Sequence, residues 1–105
     1  GPQAAVDAVA ARVAGLGRRV HQLAVSHAFH SALMEPMLDE FLTALTDLSV
    51  SEPRLTLISN VTGEPAGAGY GSAQYWVDHV REPVRFADSL RAAAGLGGGV
   101  FVEVG

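Results

Sequence analysis

The residues best suited to chemistry lie in one short stretch, Val25-Ser26-His27-Ala28-Phe29-His30-Ser31. Two of the chain's four histidines stand here, three residues apart, with Phe29 between them. A neutral imidazole takes a proton at one ring nitrogen while an acceptor fixes the other, so either histidine is equipped to be a general base. A base does not transfer an acyl group alone; it needs a nucleophile. The serines at 26, 31, 49, 51, 59, 72 and 89 all lack the G-x-S-x-G flanks of a nucleophile elbow. There is no cysteine, hence no thiolate, no disulfide framework and no cysteine metal site. No carboxylate or third histidine sits at ligand spacing from His27 and His30, so no metal is expected. On residue types alone, the pair also suits a polar joint between a strand and a helix.

The elements around this stretch follow from hydropathy spacing. Val6, Val9, Ala10, Val13 and Leu16 recur at helical intervals over residues 4–16, and Gly17 follows as a stop. Residues 19–25 alternate as a strand, which places VSHAFHS at a strand's carboxyl end, where open α/β sheets build their sites. Met34, Met37, Leu38, Phe41, Leu45 and Leu48 predict one helix of roughly four turns, with Pro36 in its first turn and Ser31 available as a cap. Residues 54–59 predict a second strand, and Asn60-Val61-Thr62-Gly63-Glu64-Pro65 opens a loop that runs to Gly71. Ser72 caps a helix to about His79, Pro83 breaks it, and Phe86, Leu90 and Ala93 mark another, ended by Gly95 and Gly97-Gly98-Gly99. Val100-Phe101-Val102 is a continuous apolar run of the kind found in strands covered on both faces.

The order helix, strand, helix, strand, helix, helix, strand predicts an α/β layer fold with largely parallel strands. The chain has 105 residues, enough for one small domain, and is 49% hydrophobic and 17% charged, which argues for a buried core. Three short strands with their helices barely cover a parallel sheet, so the expectation is a piece of a larger domain. The net charge is −4 and the seven basic residues are scattered arginines, which excludes a nucleic-acid stripe. No apolar run would span a bilayer and no signal peptide opens the chain, so no membrane is expected. The lack of cysteine is compatible with a reducing cytoplasm, the expected location.

VSHAFHSALMEPMLDEF, LISNVTGEP, YWVDHVREPVRFADSL and VFVEVG, in that order, resemble the acyltransferase domains of modular type I polyketide synthases. The resemblance covers almost the whole chain and corresponds to the C-terminal part of such a domain. It implies an α/β-hydrolase-like large subdomain, to which residues 26–105 would belong. Residues 1–25 would close a ferredoxin-like small subdomain. It also implies transfer of an extender unit from malonyl-CoA, through a serine ester, to the phosphopantetheine thiol of an acyl carrier protein. The serine elbow, the arginine for the extender carboxylate and part of the oxyanion hole lie upstream in such domains. The fragment alone is therefore expected to be inactive, and no permanently bound cofactor is expected. The implied partners are the carrier protein, a ketosynthase and the N-terminal part of the domain.

By the same resemblance His30 is the catalytic base, and Asn60 supplies the backbone carbonyl that fixes its tautomer. His27 and Phe29 belong to the HAFH form of the motif that accompanies malonyl selectivity, where methylmalonyl-selective members carry YASH. A phenyl ring in place of a small serine would fill the space of an α-methyl, a difference of roughly 1–3 kcal/mol. Met34, Met37, Tyr75 and Trp76 read as packing, His79 as a solvated helix-end residue, and Arg81 and Arg85 as surface cations available to an acidic carrier protein. Two other functions are consistent with these residues: a non-catalytic interaction or scaffolding module of a synthase, and a stand-alone transacylase of fatty-acid synthesis.

Overall fold

The computed structural model describes residues 1–104. Its elements are α1 (Gln3–Gly15), a 3-10 turn (Ala32–Met37), α2 (Leu38–Ala44), α3 (Ala73–Arg81) and α4 (Phe86–Gly95). The expected helix ends are realised by identifiable groups. Gly17 adopts φ +72°, and the amides of Gly17 and Arg18 turn back to the carbonyls of Ala14 and Val13 at 2.9 and 3.3 Å. The Ser72 hydroxyl accepts the Tyr75 amide at 3.2 Å and opens α3. Pro83 then forces Glu82 into extended backbone (φ −82°, ψ 151°), and α3 stops at Arg81.

The single helix expected from Met34 to Leu48 is two shorter pieces. Pro36 has no N–H and restricts Glu35, so the first piece winds as a 3-10 turn, capped by the Ser31 hydroxyl on the Leu33 amide at 3.3 Å. The second piece ends at Ala44. Thr43 and Thr46 hydroxyls bond the carbonyls of Asp39 and Thr43, both at 2.8 Å, and the last turn tightens there.

None of the three expected strands forms a ladder among the described residues; one antiparallel bridge joins Ile58 to Pro65. Strand structure requires a neighbour's backbone groups, and the apolar patterns at 19–25 and 100–102 encode a face to be covered without supplying its partner. The same incompleteness shows in burial. The accessible surface is 8368 Å² at 10.9 kDa, against roughly 5,600 Å² for a compact monomer of that mass. The radius of gyration is 16.6 Å, where roughly 13 Å is usual at this length. Among the described residues only Met34 and Val77 are buried apolar side chains, and they belong to the 3-10 turn and α3, which pack together with α2. Two apolar grooves lie open: about 550 Å³ along Val6, Val9 and Val13 of α1, and about 870 Å³ between α4 and Phe101. No helix among the described residues is long and apolar enough to cross a membrane.

The loop at Asn60–Pro65 is the joint between α3 and α4. The Gly63 amide bonds the Ser59 carbonyl at 2.7 Å, and the Asn60 carbonyl accepts the Arg85 amide at 2.8 Å, at the entrance to α4. Gly63 has φ +74°, and a Cβ there would stand 2.5 Å from the Asp88 Cβ. Gly63→Ala combines a left-handed backbone with an overlap between two chain segments, so it should cost about 2–4 kcal/mol. Amide exchange checks this: the Arg85 amide should be protected in the wild type and exchange freely in the variant, with α4 released from the turn.

Candidate active site

His30 is held by the end of α3. Because Pro83 has no N–H and α3 ends at Arg81, the carbonyls after Asp78, which accepts the Glu82 amide at 2.7 Å, have no partner within the helix. The His30 amide donates to the Val80 carbonyl at 2.8 Å, and His30 Nδ1 lies 3.2 Å from the Glu82 carbonyl. A carbonyl only accepts, so Nδ1 is the donor in this contact. The backbone of His30 is left-handed, φ +60°, the one non-glycine residue with positive φ among those described. That conformation costs on the order of 1–3 kcal/mol and persists where surroundings over-determine it, often at functional sites.

The segment after His30 is tied to the same helix end. The Ser31 hydroxyl donates to the Ala28 carbonyl at 2.7 Å. Arg81 pairs with Glu35 at 2.8 Å and with Glu82 at 3.4 Å, joining the 3-10 turn to the end of α3. Partly exposed pairs of this kind contribute little to stability, about 0–1 kcal/mol, so their effect here is alignment.

The orienting carbonyl is therefore placed differently from the expectation. His30 meets Glu82, whereas the Asn60 carbonyl receives the Arg85 amide and joins the turn to α4. His79 also departs from expectation. It is half-buried rather than solvated, with its ring 5.3 Å from His30 at 78°, 5.6 Å from Trp76 and 6.0 Å from Tyr75. Burial holds its pKa below the ordinary histidine value, and the neighbouring His30 charge adds to this. Tyr75 extends the cluster: its hydroxyl is 3.2 Å from the buried Ser59 hydroxyl, which accepts the amides of Val61 and Thr62 at 3.1 and 3.4 Å.

His27 and Phe29 stand apart from this cluster as an exposed pair. Their rings meet at 5.9 Å and 59°, and His27 Nδ1 lies 2.9 Å from the Ser26 hydroxyl. Arg85 is paired with Asp88 at 2.8 Å, and Arg91 joins the same carboxyl at 2.6 Å. The Arg85 hydrogen bond, with both positive charges behind it, holds Asp88 below the usual carboxylate range. No group of three His, Cys, Asp or Glu side chains among the described residues is arranged to hold a metal ion.

His30 thus stands on left-handed backbone with Nδ1 against a carbonyl and no hydrogen bond to Nε2 among the described residues. Residues 1–105 match the family described as the acyl transferase domain over their whole length. The chain belongs to the acyltransferase family. It is 64% identical over 105 residues to the phenolphthiocerol synthesis polyketide synthase type I Pks15/1 of Mycobacterium bovis, covering 100% of this chain and 5% of that protein. The acyltransferase domain of the second module of the salinomycin polyketide synthase superposes with a TM-score of 0.83 at 48% identity, over 100% of this chain and 25% of that one. The malonyl-CoA:acyl carrier protein transacylase of Xanthomonas oryzae pv. oryzae does so with a TM-score of 0.73 at 30% identity, over 92% and 31%. The acyltransferase segment thus shares the α/β class of these domains and spans a small part of the synthase it resembles.

The half-buried His79 yields a pH dependence. A histidine whose pKa is depressed in the folded state stabilises it above the unfolded value of 6.5, and that contribution is lost as the pH falls below it. A chimera carrying residues 1–105 in place of the matching quarter of the salinomycin domain gives a folded context. Its Tm should fall between pH 7.5 and 5.5 by more than that of the same chimera with His79→Phe, which has no proton to take up. Scanning calorimetry of the two proteins at both pH values measures the difference.

Proposed function

We propose that this acyltransferase segment supplies the general base for malonyl transfer from coenzyme A to an acyl carrier protein within a polyketide synthase. The observation that carries the reading is the His30 ring, with Nδ1 on the Glu82 carbonyl and Nε2 free. In this reading residues 1–25 close the small subdomain and residues 26–105 belong to the large one. The nucleophilic serine comes from the remainder of the domain.

The first half-reaction begins with His30 Nε2 taking the serine proton as the serine oxygen attacks the malonyl thioester carbonyl. The tetrahedral intermediate collapses, the C–S bond breaks, and His30 returns the proton to the coenzyme A thiolate. In the second half His30 takes the proton of the carrier thiol as its sulfur attacks the malonyl ester. The C–O bond breaks and the serine oxygen recovers the proton. His30 is an imidazolium within each half and neutral between them. Asn60 contributes indirectly, by docking the turn that Tyr75 braces. In this reading His27 and Phe29, which precede the base in the motif, belong to the wall that excludes an α-methyl group once the rest of the domain encloses the pocket.

The chain alone should form no malonyl adduct with malonyl-CoA by intact mass, since it has no elbow serine. In the chimera, malonyl loading should occur, and His30→Ala should reduce kcat/KM by about 10² or more. A His30→Ala chimera that loads at the wild-type rate contradicts the reading.

Selectivity is tested separately in the same chimera. His27→Tyr with Phe29→Ser removes the phenyl ring and opens room for an α-methyl. The ratio of kcat/KM for methylmalonyl-CoA over malonyl-CoA should rise roughly tenfold, the low end of the effect of one methyl, because the other pocket walls are unchanged. Competition between the two thioesters measures the ratio. An unchanged ratio with intact activity would assign Phe29 to packing.

A further inference from the structure

Little of the chain holds Phe29 in place. It is 51% exposed, and the aromatic ring against it is that of His27, which is exposed as well. Its amide and carbonyl form no hydrogen bond with another backbone group among the described residues. His30, one residue on, has two ties to the end of α3. A wall that reads one methyl group has to be held to about 0.5 Å. Something must therefore fix the turn that carries Phe29.

The hydroxyl of Ser31 does this. It donates to the Ala28 carbonyl at 2.7 Å, closing the turn over Phe29 and His30, and it accepts the Leu33 amide at 3.3 Å. One hydroxyl has the capacity for both bonds. The Ser31 carbonyl accepts the Met34 amide at 3.1 Å, and the Met34 side chain is buried. The hydroxyl thus clips the turn to a 3-10 segment that is itself seated in the small core.

We propose that Ser31 is a positioning residue for extender selectivity, its hydroxyl holding the Ala28–Ser31 turn so that Phe29 stands where an α-methyl group would lie. This rests on the reading of Phe29 as part of the pocket wall. Without the hydroxyl the Ala28 carbonyl loses its partner and the Leu33 amide its cap. His30 keeps its own two ties, so the loosening falls on Phe29. A wall that yields admits the larger extender at small cost, while the smaller one reacts much as before.

The test uses the chimera with Ser31→Ala, Ser31→Val and Ser31→Thr, each alone and combined with Phe29→Ser. It reads the ratio of kcat/KM for methylmalonyl-CoA over malonyl-CoA, by competition. The backbone of Ser31 is extended (φ −152°, ψ 165°) and accepts β-branched residues, so Thr and Val there differ in the hydroxyl alone. Ser31→Ala and Ser31→Val should raise the ratio about threefold, less than removal of the ring, with kcat/KM for malonyl-CoA within threefold of wild type. Ser31→Thr should keep the wild-type ratio. With Phe29→Ser there is no ring to place, and loss of the hydroxyl should leave the ratio where Phe29→Ser alone puts it. A wild-type ratio in a folded Ser31→Ala or Ser31→Val chimera overturns the proposal, as does an equal rise in Ser31→Thr or the same rise on top of Phe29→Ser. If both hydroxyl-free variants fail to fold by circular dichroism, Ser31 serves stability and the proposal falls. Failure of the wall itself looks different, because Phe29→Ser alone then leaves the ratio unchanged. A raised ratio in Phe29→Ser with silent Ser31 variants refutes only the positioning role.

Discussion

Everything about the site depends on two backbone carbonyls that α3 cannot use. Pro83 stops the helix, the carbonyls of Val80 and Glu82 point past its end, and His30 takes both. One of those bonds fixes the main chain of a residue in left-handed backbone; the other fixes its tautomer. No acidic side chain is needed in the orienting position, and none is recorded there. A carbonyl orients an imidazole without a charge of its own, so His30 is held by dipoles rather than by an ion pair.

This dependence explains the arrangement of the supports. The 3-10 turn follows His30 directly and is tied through Glu35 to Arg81, beside the two carbonyls. Ser59 and Tyr75 tie the middle of α3 to the Asn60–Pro65 turn. Gly63 lets α4 approach that turn closely, with the Arg85 amide on the Asn60 carbonyl. The apolar contribution is small by comparison, with Met34 and Val77 as its buried side chains. Polar connections therefore set the geometry of this segment, and its large apolar faces remain uncovered.

The helices were legible because their ends are written in single residues: Gly17, Ser72 and Pro83 each act through local backbone geometry. The split at Pro36 was harder to see, since a proline in a first turn is compatible with one long helix. The strands at 19–25, 54–59 and 100–102 were legible only as patterns, because pairing is a property of two segments. Within the candidate site, the motif singled out His30. Glu82 was not legible, because a carbonyl is the same on every residue and only geometry selects it. His79 was missed for a related reason. A histidine in a last helical turn satisfies the helix dipole equally well facing solvent or facing another ring.

The apolar run Val100-Phe101-Val102 has a consequence for the chain in isolation. Val100 is 86% exposed and Val102 81%, with no ladder bonds on either side. Such a segment, with free amides and carbonyls, high β-propensity and no proline, is a template for adding further strands. Its correct partner and a second copy of itself compete for the same edge. At high concentration the second copy wins by mass action, and the product is a stacked aggregate. A complementary strand that pairs with this edge removes the template.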